Sequence, residues 1–164
     1  MRKAVMILAV LAFVPVAAFA EWGVGAVAFI KPPVSIGQPT DIDKLNFQQI
    51  SFGGDLRLKL GWFQAEALVL YWGGDVDSIR AYLDVGLALD AWALRLSLGA
   101  GPNFTYNLGA GPLTQTGLNA KIGADIKLGA VSFGASYIMA LSVADGFDVQ
   151  TGAGLFGVEV IFWM

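Results

Sequence analysis

Between Leu118 and Leu128 every even-numbered residue is apolar and every odd-numbered one is polar or glycine: Leu-Asn-Ala-Lys-Ile-Gly-Ala-Asp-Ile-Lys-Leu. The same two-residue beat runs through Ile50–Leu60, Ile79–Leu89 and Trp92–Ala100. Successive strand side chains point to opposite faces of a sheet, so each segment has one greasy side and one charged side. Strands of about nine to eleven residues are the length that crosses a bilayer at a tilt. The pattern predicts an all-β chain, folded as a transmembrane β-barrel.

The first twenty residues read as an address. Arg2 and Lys3 form a basic start, Ala4 to Val14 is almost wholly apolar, and Ala18-Phe19-Ala20 fits the small-x-small rule for signal cleavage at Ala18 and Ala20. A membrane anchor is the alternative, but the apolar run is short for one. Residues 1–20 are therefore expected to be a cleaved Sec-type signal peptide and 21–164 a single barrel domain. The chain is 56% hydrophobic with a mean hydropathy of +0.64, high for a soluble domain. Yet beyond the leader no stretch stays uncharged for the roughly 18 residues a membrane helix needs, which is what alternating barrel strands produce. The absence of Cys excludes a disulfide, thiolate chemistry and a lipidated Cys after the leader. Without Arg2 and Lys3 the chain carries 8 basic against 13 acidic residues, net −5, which argues against a nucleic-acid partner.

Two junctions, Leu60-Gly61-Trp62-Phe63 and Leu128-Gly129-Ala130-Val131, place Gly first in a two-residue loop, as a type II′ hairpin prefers. Leu89-Asp90-Ala91-Trp92 is a third short junction with less specific turn chemistry. The remaining connections are longer: Pro32 to about Gln48, Gly73 to Ser78, Asn107 to Gln115 and Leu141 to Gln150. With Glu21–Lys31 and Thr151–Met164 as first and last strands, the barrel has eight antiparallel up-and-down strands. Short turns at one end and long loops at the other is the outer-membrane layout, with loops outside the cell and both termini periplasmic. A turn at Gly61-Trp62 sets Arg57 opposite Glu66 and Phe52 opposite Tyr71. A turn at Asp90-Ala91 sets Tyr82 opposite Gly99, with Asp84 diagonal to Arg95. Each places like faces together, and such cross-strand pairs fix register.

Alternation alone does not say which face looks out. The interior of an eight-stranded barrel is just wide enough for side chains to fill it. It cannot hold the whole apolar set of Leu56, Leu58, Leu83, Leu87, Leu96, Ile122, Val160 and their kin, so that set faces outward. A lipocalin-like soluble barrel with exchanged faces is the alternative. Aromatics support the outward choice: Trp62, Phe63, Trp92, Phe133 and Phe162 gather near the short turns, and Phe52, Tyr71, Phe104 and Tyr137 toward the loops, as two interfacial belts would. The acids Asp55, Glu66, Asp84, Asp125 and Glu159 then share the lumen with Arg57, Lys59, Arg80, Arg95, Lys121 and Lys127, five against six. All but Arg80 and Lys121 fall in the half nearer the short turns, so Asp55, Arg57, Lys59, Glu66, Asp84, Arg95, Asp125, Lys127 and Glu159 form the expected ion network. Above them Phe29, Leu70, Trp72, Tyr82, Ile138 and Leu155 form an expected apolar cup.

At the level of architecture the chain resembles the small eight-stranded outer-membrane barrels of the OmpA, OmpX and OmpW type, over the whole of residues 21–164. The last strand, Phe156 to Met164, is similar to the C-terminal signal such proteins offer to the barrel assembly machinery, although it ends in Met where that signal carries Phe or Trp. The resemblance implies outer-membrane lipid and that machinery as partners, and a monomer. It also implies two roles: a structural or surface-interaction protein with a closed lumen, or, as in OmpW-like barrels, passage of small hydrophobic molecules through the cup. A wide diffusion pore fits poorly with eight strands.

Other motifs lead nowhere. Gly152-Ala-Gly154-Leu-Phe-Gly157 matches a dinucleotide fingerprint, but a following helix is needed and the remaining residues read as strand. Asn103-Phe-Thr105 matches a glycosylation acceptor and reads as a strand end. With no His there is no Ser-His-Asp triad and no imidazole base, and most zinc sites are excluded; the enzymes that this resemblance brings in depend on a His. Asp84 and Glu159 are the candidate acid–base pair, but their basic neighbours favour a structural network. No enzyme activity and no cofactor is expected.

Overall fold

Each alternating segment becomes one strand, because only an extended backbone puts all of its apolar side chains on a single face. The computed structural model describes residues 20–30, 50–73, 77–109, 115–142 and 148–164; the leader, the first long connection and the tips of the other three lie outside them. The strands are β1 (Glu21–Ile30), β2 (Ile50–Leu60), β3 (Phe63–Trp72), β4 (Ser78–Ala91), β5 (Leu94–Asn107), β6 (Gln115–Leu128), β7 (Val131–Ser142) and β8 (Asp148–Trp163). Every neighbouring pair is antiparallel, and β1 pairs with β8 to close the barrel. Closure removes both sheet edges.

Two hairpins have the expected register. Gly61 and Gly129 sit at φ 61° and 66°, and Arg57 lies opposite Glu66 and Phe52 opposite Tyr71. An L-residue is strained there by about 1–2 kcal/mol, so Gly61→Val will lower barrel stability by about that amount. Denaturant unfolding in lipid vesicles measures it, and an unchanged midpoint excludes the turn geometry.

The third hairpin departs from expectation. Ala91 pairs with Leu94, so the turn is Trp92-Ala93, with Trp92 at φ 57°, rather than Asp90-Ala91. Tyr82 therefore faces Asn103 instead of Gly99, and Arg95 faces Asp90 instead of lying diagonal to Asp84. The slip is even-numbered, so no side chain changes face. Its physical reason is ionic: the longer hairpin brings Asp90 and Arg95 together at 2.5 Å. The β7–β8 ladder also runs further than expected. Past a bulge between Ile138 and Ala140 it continues to Ser142 opposite Asp148, which shortens the Leu141–Gln150 connection.

The two faces are sharply different. Leu56, Leu83, Leu87, Leu96, Leu98 and Ile122 are each 46–56% exposed on the outside, whereas Asp55, Arg57, Arg95 and Asp125 are at most 2% exposed within. In water such a coat is unfavourable by about 25 cal/mol for each Å² of apolar surface. The lumen is packed by pairing large side chains with small ones. A Cβ at Gly134 would collide with the Asp125 carboxylate, and one at Gly157 with the Phe29 ring.

Candidate functional site

Counting from the short-turn end, the lumen has three levels, each set by the strand register. At the mouth, Arg95 on β5 reaches Glu21 on β1 at 2.7 Å and Asp90 on β4 at 2.5 Å. Lys59 joins Asp90 at 2.9 Å and Lys127 joins Glu21 at 3.3 Å. The Arg95 guanidinium stacks 4.0 Å from the Trp163 ring, whose indole N–H donates to Ser132 Oγ at 2.9 Å. The penultimate residue of the chain thus closes the lower mouth.

The middle level turns on Arg57. Its guanidinium lies 2.7 Å from Asp55, 2.5 Å from Glu159, 3.1 Å from Asp125 and 3.6 Å from Glu66. Lys121 pairs with Glu66 and lies 3.4 Å from Glu159 and 3.9 Å from Asp55. These contacts join walls that face each other: β2 to β6 through Arg57–Asp125, and β3 to β6 through Glu66–Lys121. Asp84 stands apart from the pairs and accepts from Asn119 Nδ2 at 2.6 Å.

The nine residues grouped by sequence into one network therefore divide. Asp55, Arg57, Glu66, Asp125 and Glu159 share the middle level; Lys59, Arg95 and Lys127 belong to the mouth; Asp84 pairs with an amide. Three members escaped the sequence. Lys121 reaches down from a higher backbone position, Asp90 is drawn inward by the longer hairpin, and Glu21, on the same face of β1 as Phe29, turns inward to Arg95 and Lys127. Among the described residues the lumen then holds seven acids against six bases, in layers. Four carboxylates face two cations in the middle, with Asp84 beside them on an amide, while three cations face two carboxylates at the mouth. Asp84 and Glu159 engage different partners and do not form an acid–base pair. Among the described residues no cluster of three or more His, Cys, Asp or Glu side chains is placed to hold a metal ion.

Above the ions, Phe29, Leu70, Trp72, Tyr82, Ile138 and Leu155 come together with Val27 and Leu68 in one cluster, each at most 9% exposed. The register accounts for this, since inward residues of β1, β3, β4, β7 and β8 meet at one height. They pack on one another on this side of the lumen, and Tyr82, Ile138 and Leu155 also border an opening toward the long-loop end. The fingerprint-like Gly154 and Gly157 lie in β8 beneath the rings of Tyr137 and Phe29, where a side chain has no room.

No family model matches this sequence, and no curated protein matches it. Its backbone does match solved structures. The N-terminal β-barrel domain of Pseudomonas aeruginosa OprF superposes with a TM-score of 0.62 at 14% identity, covering 88% of this chain and 97% of that one. Neisserial surface protein A superposes with a TM-score of 0.51 at 14% identity, covering 87% of this chain and 97% of that one. This is the fold of the small outer-membrane β-barrels. At this level of identity the likeness lies in the barrel itself, in its closed eight-strand order and its apolar exterior. The ion-paired interior of this outer-membrane-type barrel has to be argued from its own residues.

Proposed function

We propose that the protein is an integral outer-membrane protein without enzymatic activity, with a closed lumen and a structural or surface-interaction role carried by its long loops. The observation that carries this reading is the set of ion pairs spanning the lumen beneath an apolar coat. Charges this deeply buried are stable only when paired, and the pairs occupy the path a solute would take. The reading places the short turns and both termini in the periplasm, follows Sec-type export with removal of residues 1–20, and makes the β8 strand the segment offered to the barrel assembly machinery. Outer-membrane lipid is the first partner of a monomeric barrel, and acidic loops such as the one bearing Asp75 and Asp77 make the outside contacts.

Two measurements test it. In planar bilayers the refolded protein will show at most small, rare conductance events; large stable steps overturn the closed lumen. On intact cells, added protease will cut within the long connections and spare the three short turns; the reverse pattern overturns the sidedness.

A further inference from the structure

The ion pairs and the apolar cluster leave one part of the upper lumen unfilled. Toward the long-loop end, between β4, β5, β6 and β7, lies a cavity of about 200 Å³ bounded by Arg80, Asn103, Gln115 and Asn119 with Ile138 and Leu155. At roughly 30 Å³ for each water in the liquid, its volume suits a molecule the size of one substituted ring.

Its chemistry is graded with depth. Arg80 and Gln115 both stand at the height of Thr105 on β5, near the loop end of the barrel. Ile138 and Leu155 face each other lower down, at the height of Lys121. Polar donors therefore crown the cavity, and lower down Ile138 and Leu155 form one apolar wall, with Asn103 and Asn119 hydrogen-bonded to each other across from them. Arg80 is also distinctive among the lumen cations. The other five each have a carboxylate partner, whereas Arg80 has none among the described residues. Its buried Nε has no acceptor, the guanidinium lies 5.1 Å from the centre of the Trp72 ring, and it donates a hydrogen bond to the Tyr82 hydroxyl, which tethers it at the cavity wall. A planar guanidinium fork held in this way matches a carboxylate.

We propose that this vestibule binds a small organic monocarboxylate with a compact apolar body. Arg80 and the Gln115 amide take the carboxylate at the top, and the body lies down against Ile138 and Leu155. The carboxylate-rich level below disfavours a dianion and repels the charged end upward, so the same field selects the charge and orients the ligand. The ion pairs beneath remain closed, so the site is a blind pocket and its occupation does not require a channel.

Equilibrium dialysis of radiolabelled benzoate against the refolded full chain in detergent micelles tests this, with protein-free micelles as the blank. Benzyl alcohol serves as the neutral analogue of similar shape, and inorganic phosphate as an anion without a body. The wild type will take up benzoate saturably at one site per chain, with neither analogue competing. Arg80→Gln will weaken that binding about tenfold or more, and Arg80→Lys, which keeps the charge but loses the fork, will fall between. Heat-modifiable gel migration identifies folded variants, and if Arg80→Gln does not fold, the Arg80→Lys loss decides. Absence of saturable uptake, equal binding by the folded variants, or full competition by benzyl alcohol or phosphate overturns the proposal. Each of these outcomes leaves the closed-lumen reading standing, because that rests on the conductance record.

Discussion

Arg57→Met will destabilise the refolded barrel by about 3–5 kcal/mol, the loss found when one partner of a buried ion cluster is removed. Arg57 is 1% exposed and lies within ion-pair distance of four carboxylates, Asp55, Glu66, Asp125 and Glu159. Its removal leaves those groups, themselves buried, with Lys121 alone. Methionine occupies comparable volume, so the loss measures charge rather than a cavity. Adding Glu159→Gln to Arg57→Met will recover part of the stability, because one of the stranded charges is gone. Arg95→Met will cost less, since its partners Glu21 and Asp90 keep 43% and 29% of their side-chain surface in contact with solvent. Reversible denaturant unfolding in phospholipid vesicles gives all three values against wild type. Equal losses for Arg57→Met and Arg95→Met, or no recovery in the double variant, refute the central role given to Arg57.

Leu98→Arg will cost about 2–4 kcal/mol in vesicles, the penalty for a cationic side chain on the lipid face near the midplane of such a barrel. Leu98 is 56% exposed near the middle of the outward band, opposite Leu87 on one side and Ile122 on the other. The effect discriminates between solvents. On a barrel bathed in water, an arginine replacing an exposed leucine costs next to nothing, and it improves solubility. On a barrel bathed in hydrocarbon it has no partner and no hydration. A Leu98→Arg protein that folds as readily as wild type into vesicles excludes lipid as the medium around this face. Leu98→Ile, which keeps the face apolar, controls for packing and will stay close to wild type.

The face that looks outward was legible because it depends only on a two-residue period and on the capacity of an eight-stranded lumen. The Gly61 and Gly129 hairpins were legible for a similar reason: each has a glycine where the turn needs positive φ, so the sequence marks the register. The β4–β5 hairpin has no such mark. Its positive-φ residue is Trp92, which turn chemistry does not single out, and the Asp90–Arg95 attraction moves the turn by two residues without changing either face.

What lay beyond sequence reading are the contacts across the lumen. Glu21–Arg95 and Arg57–Asp125 join strands that are nowhere adjacent in the sheet, so their meeting follows from where β1 locks onto β8 when the barrel closes. No local pattern encodes that register. Lys121 is a related case, because its flexible stem carries the ammonium away from the height of its own backbone to reach Glu66. By itself the sequence determined the strands, their faces and the separation of oil from charge, since these are set by neighbours along the chain. Only the tertiary structure decided which charges meet, that they lie in two layers, and that space remains beside Arg80, because all three depend on distances across a closed ring.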